Sequence, residues 1–229
     1  MVGKVQTETT VGAVRIPALP ADLKIFPMDK DVGFIENHDI AAIQKPFVDQ
    51  LIGLDEQQRA TGAMASLAEG GQKIRNLDTL GSPVFDALNN RAKALFMKVT
   101  GAKAAIVDDC WANVFRSGEY TMPHSHKRAV ASVVYALESG DEDAWDRDPM
   151  NGLLTFVDPR LERCCIGRPG YVSTPFHPPK AVKNYMVIFP AHITHMVTPY
   201  VGTRPRISIA WNIGPTEVPG ELRHDGGMR

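Results

Sequence analysis

Cysteine is scarce in this chain: three residues among 229, Cys110, Cys164 and Cys165. Adjacent cysteines are poorly placed to pair with each other. An odd count without CxxC spacing argues against both a disulfide framework and a structural zinc knuckle. Buried, unreactive thiols are the expectation. Long apolar runs are missing too. No stretch reaches the ~18 residues needed to cross a bilayer, and the polar start from Met1 to Thr10 is unlike a secretory leader. Nor is there a surplus of either charge, with 25 Lys and Arg against 26 Asp and Glu and a formal net charge of −1. That balance leaves no electrostatic footprint for nucleic acid or an acidic membrane surface. Internal repeats and low-complexity tracts are absent as well. A soluble, cytoplasmic protein is expected.

What is present suits one globular domain over residues 1–229. The chain is 44% hydrophobic and 22% charged, and at this length a single core buries roughly 70% of the surface of the unfolded chain. Residues 1–103 read as a helical support layer. Ile40, Ile43, Phe47, Leu51 and Leu54 recur at helical spacing, with Pro46 either starting or kinking the helix. Ser82 is a good N-cap, Pro83 suits the first helical position, and Gly101 closes a stripe running from Phe85 to Val99. Between these helices, Ala60–Gly81 reads as a mobile connector. From residue 104 the vocabulary changes. Ala104–Val107, Val130–Leu137, Leu153–Val157, Met186–Phe189 and Ile207–Ile213 are short β-branched or aromatic runs bounded by turn residues. They predict an antiparallel sandwich or barrel over 104–214, with 215–229 as a C-terminal tail.

Four of the seven histidines gather in two places. His124 and His126 lie in Met122-Pro-His-Ser-His-Lys127; His192 and His195 lie in Pro190-Ala-His-Ile-Thr-His-Met196. On an extended segment, residues two apart share a face. His124 and His126 can therefore chelate one metal, and His195 is the natural third ligand because it follows an apolar strand. Three side chains on one side of a transition metal leave open positions, as an oxygen-activating iron site requires. An isolated His-x-His also occurs as a pair of merely hydrogen-bonded histidines. A further pattern lies in Pro205-Arg-Ile-Ser-Ile-Ala-Trp-Asn212. Ile207, Ile209 and Trp211 take one strand face; Arg206, Ser208, Ala210 and Asn212 take the other. A guanidinium fork beside a hydroxyl suits a carboxylate held by two hydrogen bonds, while the bland alternative is an edge strand with a polar solvent face.

His-x-His, a distal His after an apolar run ending in Phe-Pro, and Arg-x-Ser eleven residues on resemble the 2-oxoglutarate/Fe(II)-dependent oxygenases. More narrowly, three blocks resemble an uncharacterised bacterial and phage branch of them. These are Trp111-Ala-Asn-Val-Phe-Arg-Ser-Gly118 followed by His124-Ser-His126, Gly152-Leu-Leu-Thr-Phe-Val-Asp-Pro-Arg160, and Arg206-Ile-Ser-Ile-Ala-Trp-Asn212. The resemblance covers roughly Asp109 to Ile213. It implies a mainly β fold with N-terminal helices, a double-stranded β-helix (jelly roll, cupin-like). It implies Fe(II) on His124, His126 and His195, and 2-oxoglutarate as cosubstrate held by Arg206 with help from Ser208. Tyr120 and Asn113 would hydrogen-bond the cosubstrate or the ligands, and His192, Asn212 and Trp145 would face the substrate pocket. The implied activity is that of a dioxygenase, splitting 2-oxoglutarate to succinate and CO₂ while hydroxylating, or otherwise oxidising, a C–H bond.

The chain departs from that family at one ligand. Most members place a carboxylate two residues after the first His, where this chain has His126; Asp109 and Asp158 are the aspartates that could substitute. A three-His set is neutral, and its metal affinity is expected to fall below about pH 6.5 as imidazoles take up protons. A small-molecule substrate and O₂ are the expected partners, with no nucleic acid and no membrane. The segment Arg15 to Pro27 suits either an extra strand or an arm onto a second copy in a homodimer. The acidic stretch from Asp141 to Asp148 is either a solvated loop or a lure for a cationic substrate. Two rivals remain: a three-His cupin-type dioxygenase without 2-oxoglutarate, which leaves Arg206 without a task, and a non-catalytic metal-binding jelly-roll module.

Overall fold

Ser82 starts the longest helix as its sequence signals. In the structure of the chain, a computed structural model that describes residues 5–20, 33–62, 71–141, 143–157, 173–175 and 184–215, Ser82 Oγ accepts a hydrogen bond from the Phe85 N–H. Pro83 fills the first turn, where its missing N–H costs nothing, and Gly101 ends the helix in the left-handed conformation at φ 71°. This helix, α3, spans Pro83–Thr100. Before it come α1 (His38–Ala41) and α2 (Lys45–Ala60), and Pro46 sits in the first turn of α2, so it starts that helix and does not kink it.

The N-terminal region is not purely helical. It also holds the hairpin β1 (Glu8–Val11) and β2 (Val14–Pro17), β3 (Gly33–Glu36) and β4 (Gln72–Arg75). The expected Ala60–Gly81 connector is thus partly ordered by β4 and a 3₁₀ turn, Leu77–Leu80. Arg15 to Pro17 lie in β2, which pairs with β1 in this same chain.

Downstream run β5 (Ile106–Phe115), β6 (Thr121–His124), β7 (Ala131–Glu138), a short α4 (Ala144–Arg147), β8 (Leu154–Val157), β9 (Ser173–Pro175), β10 (Tyr185–Pro190), β11 (His195–Val197) and β12 (Arg206–Gly214). All strand pairings among the described residues are antiparallel. The larger sheet has the order β3-β10-β7-β12-β5-β4 and the smaller one β6-β11-β8-β9. The two sheets face one another, giving the mainly β jelly roll.

Strand alternation decides what each face meets. On β12, Ile207, Ile209, Trp211 and Ile213 point to the helices, with Val133, Tyr135 and Leu137 of β7 and Ala112 and Val114 of β5. Trp211 stacks on Phe85 of α3 with centroids 6.4 Å apart. The opposite face is apolar only in part: Ala136, Tyr185, Val187 and Phe189 pack on Leu154 and Phe156 of the smaller sheet. Toward one end, polar side chains take over. β12 is no edge strand; it lies between β7 and β5 and is buried along its whole length. Polar residues on a strand buried on both faces demand partners.

Two buried ionic clusters fix the connections. Asp55 of α2 accepts from Arg59 and Arg116, and Glu119 accepts from Arg59 and from the Arg116 N–H. This pins the β5–β6 turn. Arg91 of α3 donates to Asn37, Asp39 and the Pro17 carbonyl, joining the hairpin, α1 and α3. Cys110 is free, and burial pushes its thiol pKa well up, as befits an unreactive thiol. Cys164 and Cys165 lie outside the described residues. Among the described residues no helix is long and apolar enough to cross a membrane.

Candidate metal centre

The polar end of the space between the sheets is built by cross-strand register. His124 ends β6 and His195 begins β11, and the two are direct partners in the antiparallel ladder. Direct partners project on one face with their Cβ atoms about 5 Å apart. His126 follows on an extended turn, anchored where its N–H donates to the Ala191 carbonyl. The ring centroids are 4.3 Å apart for His124 and His195, 5.0 Å for His124 and His126, and 5.2 Å for His126 and His195. One nitrogen from each ring lies within 4.8 Å of the others, and no carboxylate joins them among the described residues. Asp158 is outside those residues. Asp109 is held elsewhere, by Arg75.

Burial shapes the chemistry of this cluster. It pushes the pKa of His195 down to about 3 and that of His126 to about 4, with the neighbouring His124 adding to each effect; His124 is lowered by burial as well. His126 and His195 therefore stay neutral well below pH 6.5, and the expected acid limit on metal binding shifts downward. The Nδ1 atoms of His124 and His195 lie 2.8 and 2.9 Å from the carbonyls of Met122 and Ile193. A carbonyl only accepts, so each Nδ1 keeps the proton and each Nε2 is bare for a metal.

Arg206 opens β12 and lines the same cavity as the histidines. It is 5% exposed, and its Nη1 has no hydrogen-bond partner among the described residues. A buried guanidinium nitrogen left unpaired is costly; it is a vacant donor for an anion. Its carbon lies 5.1 Å from the Phe115 ring centroid, and Gly152 packs so closely that a Cβ there would sit 2.8 Å from Arg206 Cδ. Ser208 lies two residues along on the same face, 3% exposed. Asn113, opposite Ser208 on β5, lines the cavity while accepting from the Trp111 indole N–H at 3.0 Å. Three neutral imidazoles suit a divalent iron, and a guanidinium whose Nη1 has no partner among the described residues, beside a hydroxyl, suits the far carboxylate of a keto diacid. These residues fit Fe(II) and 2-oxoglutarate.

Other expected site residues fall differently. Asn212 lines the cavity but is turned to His126, with Nδ2 3.3 Å from Nδ1. Tyr120 precedes β6 and is not among the residues lining the cavity; His192 is exposed on the β10–β11 turn and does not line it either. The Trp145 side chain lies outside what is described. In the acidic stretch, Asp141 is occupied by the N–H groups of Thr203 and Arg204, and Asp143 pairs with Arg147. Lys73, Thr121 and Ser132 also line the cavity. Lys73 and Ser132 reach it through long-range strand pairing, and no local motif marks them.

Residues 109–212 match the family model described as "Putative 2OG-Fe(II) oxygenase". No curated protein is matched. Among solved structures, a prolyl hydroxylase of Trichoplax adhaerens in complex with a hypoxia inducible factor peptide fragment aligns with a TM-score of 0.54 at 13% identity, covering 80% of this chain and 84% of that one. Iron-bound HygX of Streptomyces hygroscopicus aligns with a TM-score of 0.54 at 13% identity, covering 81% and 83%. The viral collagen prolyl hydroxylase vCPH of Paramecium Bursaria Chlorella virus-1, as its 2OG complex, aligns with a TM-score of 0.51 at 14% identity, covering 80% and 96%. At these identities the likeness is one of fold, the double-stranded β-helix. Residues 109–212, which contain all three histidines and Arg206, thus match a 2OG-Fe(II) oxygenase domain, a family that needs Fe(II) and 2-oxoglutarate.

Proposed function

We propose that this protein hydroxylates a C–H bond of a small-molecule substrate, with His124, His126 and His195 holding the iron and Arg206 and Ser208 holding 2-oxoglutarate. When bound, Fe(II) and the keto acid supply the oxidising power: O₂ and 2-oxoglutarate yield succinate and CO₂, and one oxygen atom enters the substrate C–H bond. The chain's own residues do the placing. His124 and His195 present Nε2 because backbone carbonyls occupy their Nδ1 protons. Arg206 would draw the distal carboxylate to its side of the cavity, with Ser208 donating beside it. With the distal carboxylate held there, the keto-acid end would lie toward the three histidines that would hold the iron. Ala136, Leu154, Phe156 and Val187 wall off water on the apolar side. A small molecule is favoured over nucleic acid by the near-neutral charge of the chain.

The observation that carries this reading is the orphaned Arg206 nitrogen in the cavity that the three histidines share. A cupin-type dioxygenase working without 2-oxoglutarate would have no use for it. The test is anaerobic titration of the Fe(II)-loaded protein with 2-oxoglutarate, following the weak visible charge-transfer band of a chelated keto acid. The band is expected in the wild type and absent in Arg206→Ala and His195→Ala. Iron bound without any band would favour the cupin-type chemistry, and no iron at all would remove the oxygenase assignment of these residues.

A further inference from the structure

The three histidines are not held alike. The carbonyls of Met122 and Ile193 cannot rotate, so His124 and His195 are set permanently with Nδ1 protonated. Nδ1 of His126 instead faces a side-chain amide, that of Asn212, at 3.3 Å. The other end of the amide faces a hydroxyl: Ser132 Oγ lies 3.0 Å from Asn212 Oδ1. Ser132 and Asn212 are register partners on β7 and β12, and they are 3% and 8% exposed.

An amide has a donor end and an acceptor end, while a hydroxyl can serve as either. With Nδ2 toward His126, Nδ1 accepts and the ring proton sits on Nε2, where it blocks a metal. With the amide turned over, Oδ1 accepts the proton of Nδ1, Nδ2 donates to Ser132 Oγ, and Nε2 is bare. Both arrangements give each end of the buried amide a partner, so neither leaves an end without a hydrogen bond.

We propose that Asn212, backed by Ser132, is a positioning residue whose amide orientation sets the tautomer of His126 and thereby couples the readiness of the third ligand to the metal. Two ligands are permanently poised; the third becomes available as the amide turns. The inference rests on the three-histidine centre proposed above. It also gives Asn212 a task other than contact with the substrate.

The test reads the histidine rings by long-range ¹H–¹⁵N NMR in the metal-free protein and in the protein loaded with Zn(II), a diamagnetic probe, with Zn(II) affinity measured alongside. The metal-free wild type is expected to show His124 and His195 as Nδ1–H and His126 as Nε2–H, and Zn(II) should move His126 to Nδ1–H. Asn212→Asp, which can only accept, should hold His126 as Nδ1–H without metal and bind Zn(II) more tightly than the wild type. Asn212→Leu should bind it about 10–100-fold more weakly, with Ser132→Ala in between. His126 already Nδ1–H in the metal-free wild type would overturn the proposal and leave the metal centre standing. So would a folded Asn212→Leu with wild-type Zn(II) affinity. The wild-type tautomers decide the matter even where that variant fails to fold. Zn(II) binding that is absent, or indifferent to His124→Ala and His195→Ala, would remove the metal centre and this inference with it.

Discussion

At the scale of single residues, Gly152 is the clearest case of backbone serving a side chain. Its φ is +59°, in the left-handed region that costs an L residue roughly 1–2 kcal/mol. The missing Cβ also leaves the space that Arg206 Cδ occupies. Gly152→Ala should therefore displace the guanidinium and weaken 2-oxoglutarate binding about tenfold, the effect of about 1.4 kcal/mol. Metal affinity should stay as it is, because the atoms nearest to such a Cβ belong to Arg206 and Tyr200. Parallel titrations with metal and with 2-oxoglutarate check this, and equal losses in both would mean general damage. Arg206, Ser208 and the His-x-His pair were legible because a two-residue spacing on a strand is a statement about one face. The environment of Gly152, like the contact between Asn212 and His126, was not. Asn212 and His126 are 86 residues apart in the chain, and no local pattern encodes a contact made through sheet register.

At the scale of elements, α3 shows what strong local signals achieve. Ser82, Pro83 and Gly101 mark its ends, and the helix begins and stops where they say. Its cap hydrogen bond is long, 3.3 Å from Phe85 N to Ser82 Oγ, so its contribution sits at the lower end of the usual range. Ser82→Ala should cost about 0.5–1 kcal/mol, a fall in Tm of roughly 1–4 °C for a domain this large. Thermal unfolding followed by circular dichroism measures it. No change would mean that packing of Phe85, Leu88 and Leu95 alone holds the helix end. β4 was missed for the opposite reason. β4 is a four-residue strand, Gln-Lys-Ile-Arg, with one apolar side chain facing the core. Its pairing with β5 gives it order, and the composition of the Ala60–Gly81 stretch hid it. β6 contains a proline and exposed residues, yet its extended end at His124 was legible from the His-x-His spacing. It exists because His124 pairs with His195 across the ladder.

At the scale of the whole molecule, the jelly roll depends on loops that tie the ends of distant strands, and Asp141 is the sharpest example. It follows β7 and receives the N–H groups of Thr203 and Arg204 just before β12, so one carboxylate locks the exit of one central strand to the entry of the next. The jelly-roll class was legible through the resemblance of sequence blocks; this closure was not, since an aspartate in an acidic stretch looks like any solvated charge. Those N–H donors, Thr203 first, hold the carboxyl at about pKa 2, below its ordinary 3.8. The sign of the pH effect follows. Between about pH 2 and 4 the unfolded chain binds more protons at this position than the folded one, so stability rises with pH there. The contribution is complete above about pH 5 and disappears as pH falls through the folded value. Asp141→Asn keeps one acceptor but cannot ionise. Urea midpoints of wild type and variant should therefore differ by a constant amount from pH 5 to 7 and converge as pH drops from 4 toward 2. A gap that persisted unchanged at pH 2 would mean that the loop is held by geometry alone and that the charge of Asp141 contributes nothing to closing the roll.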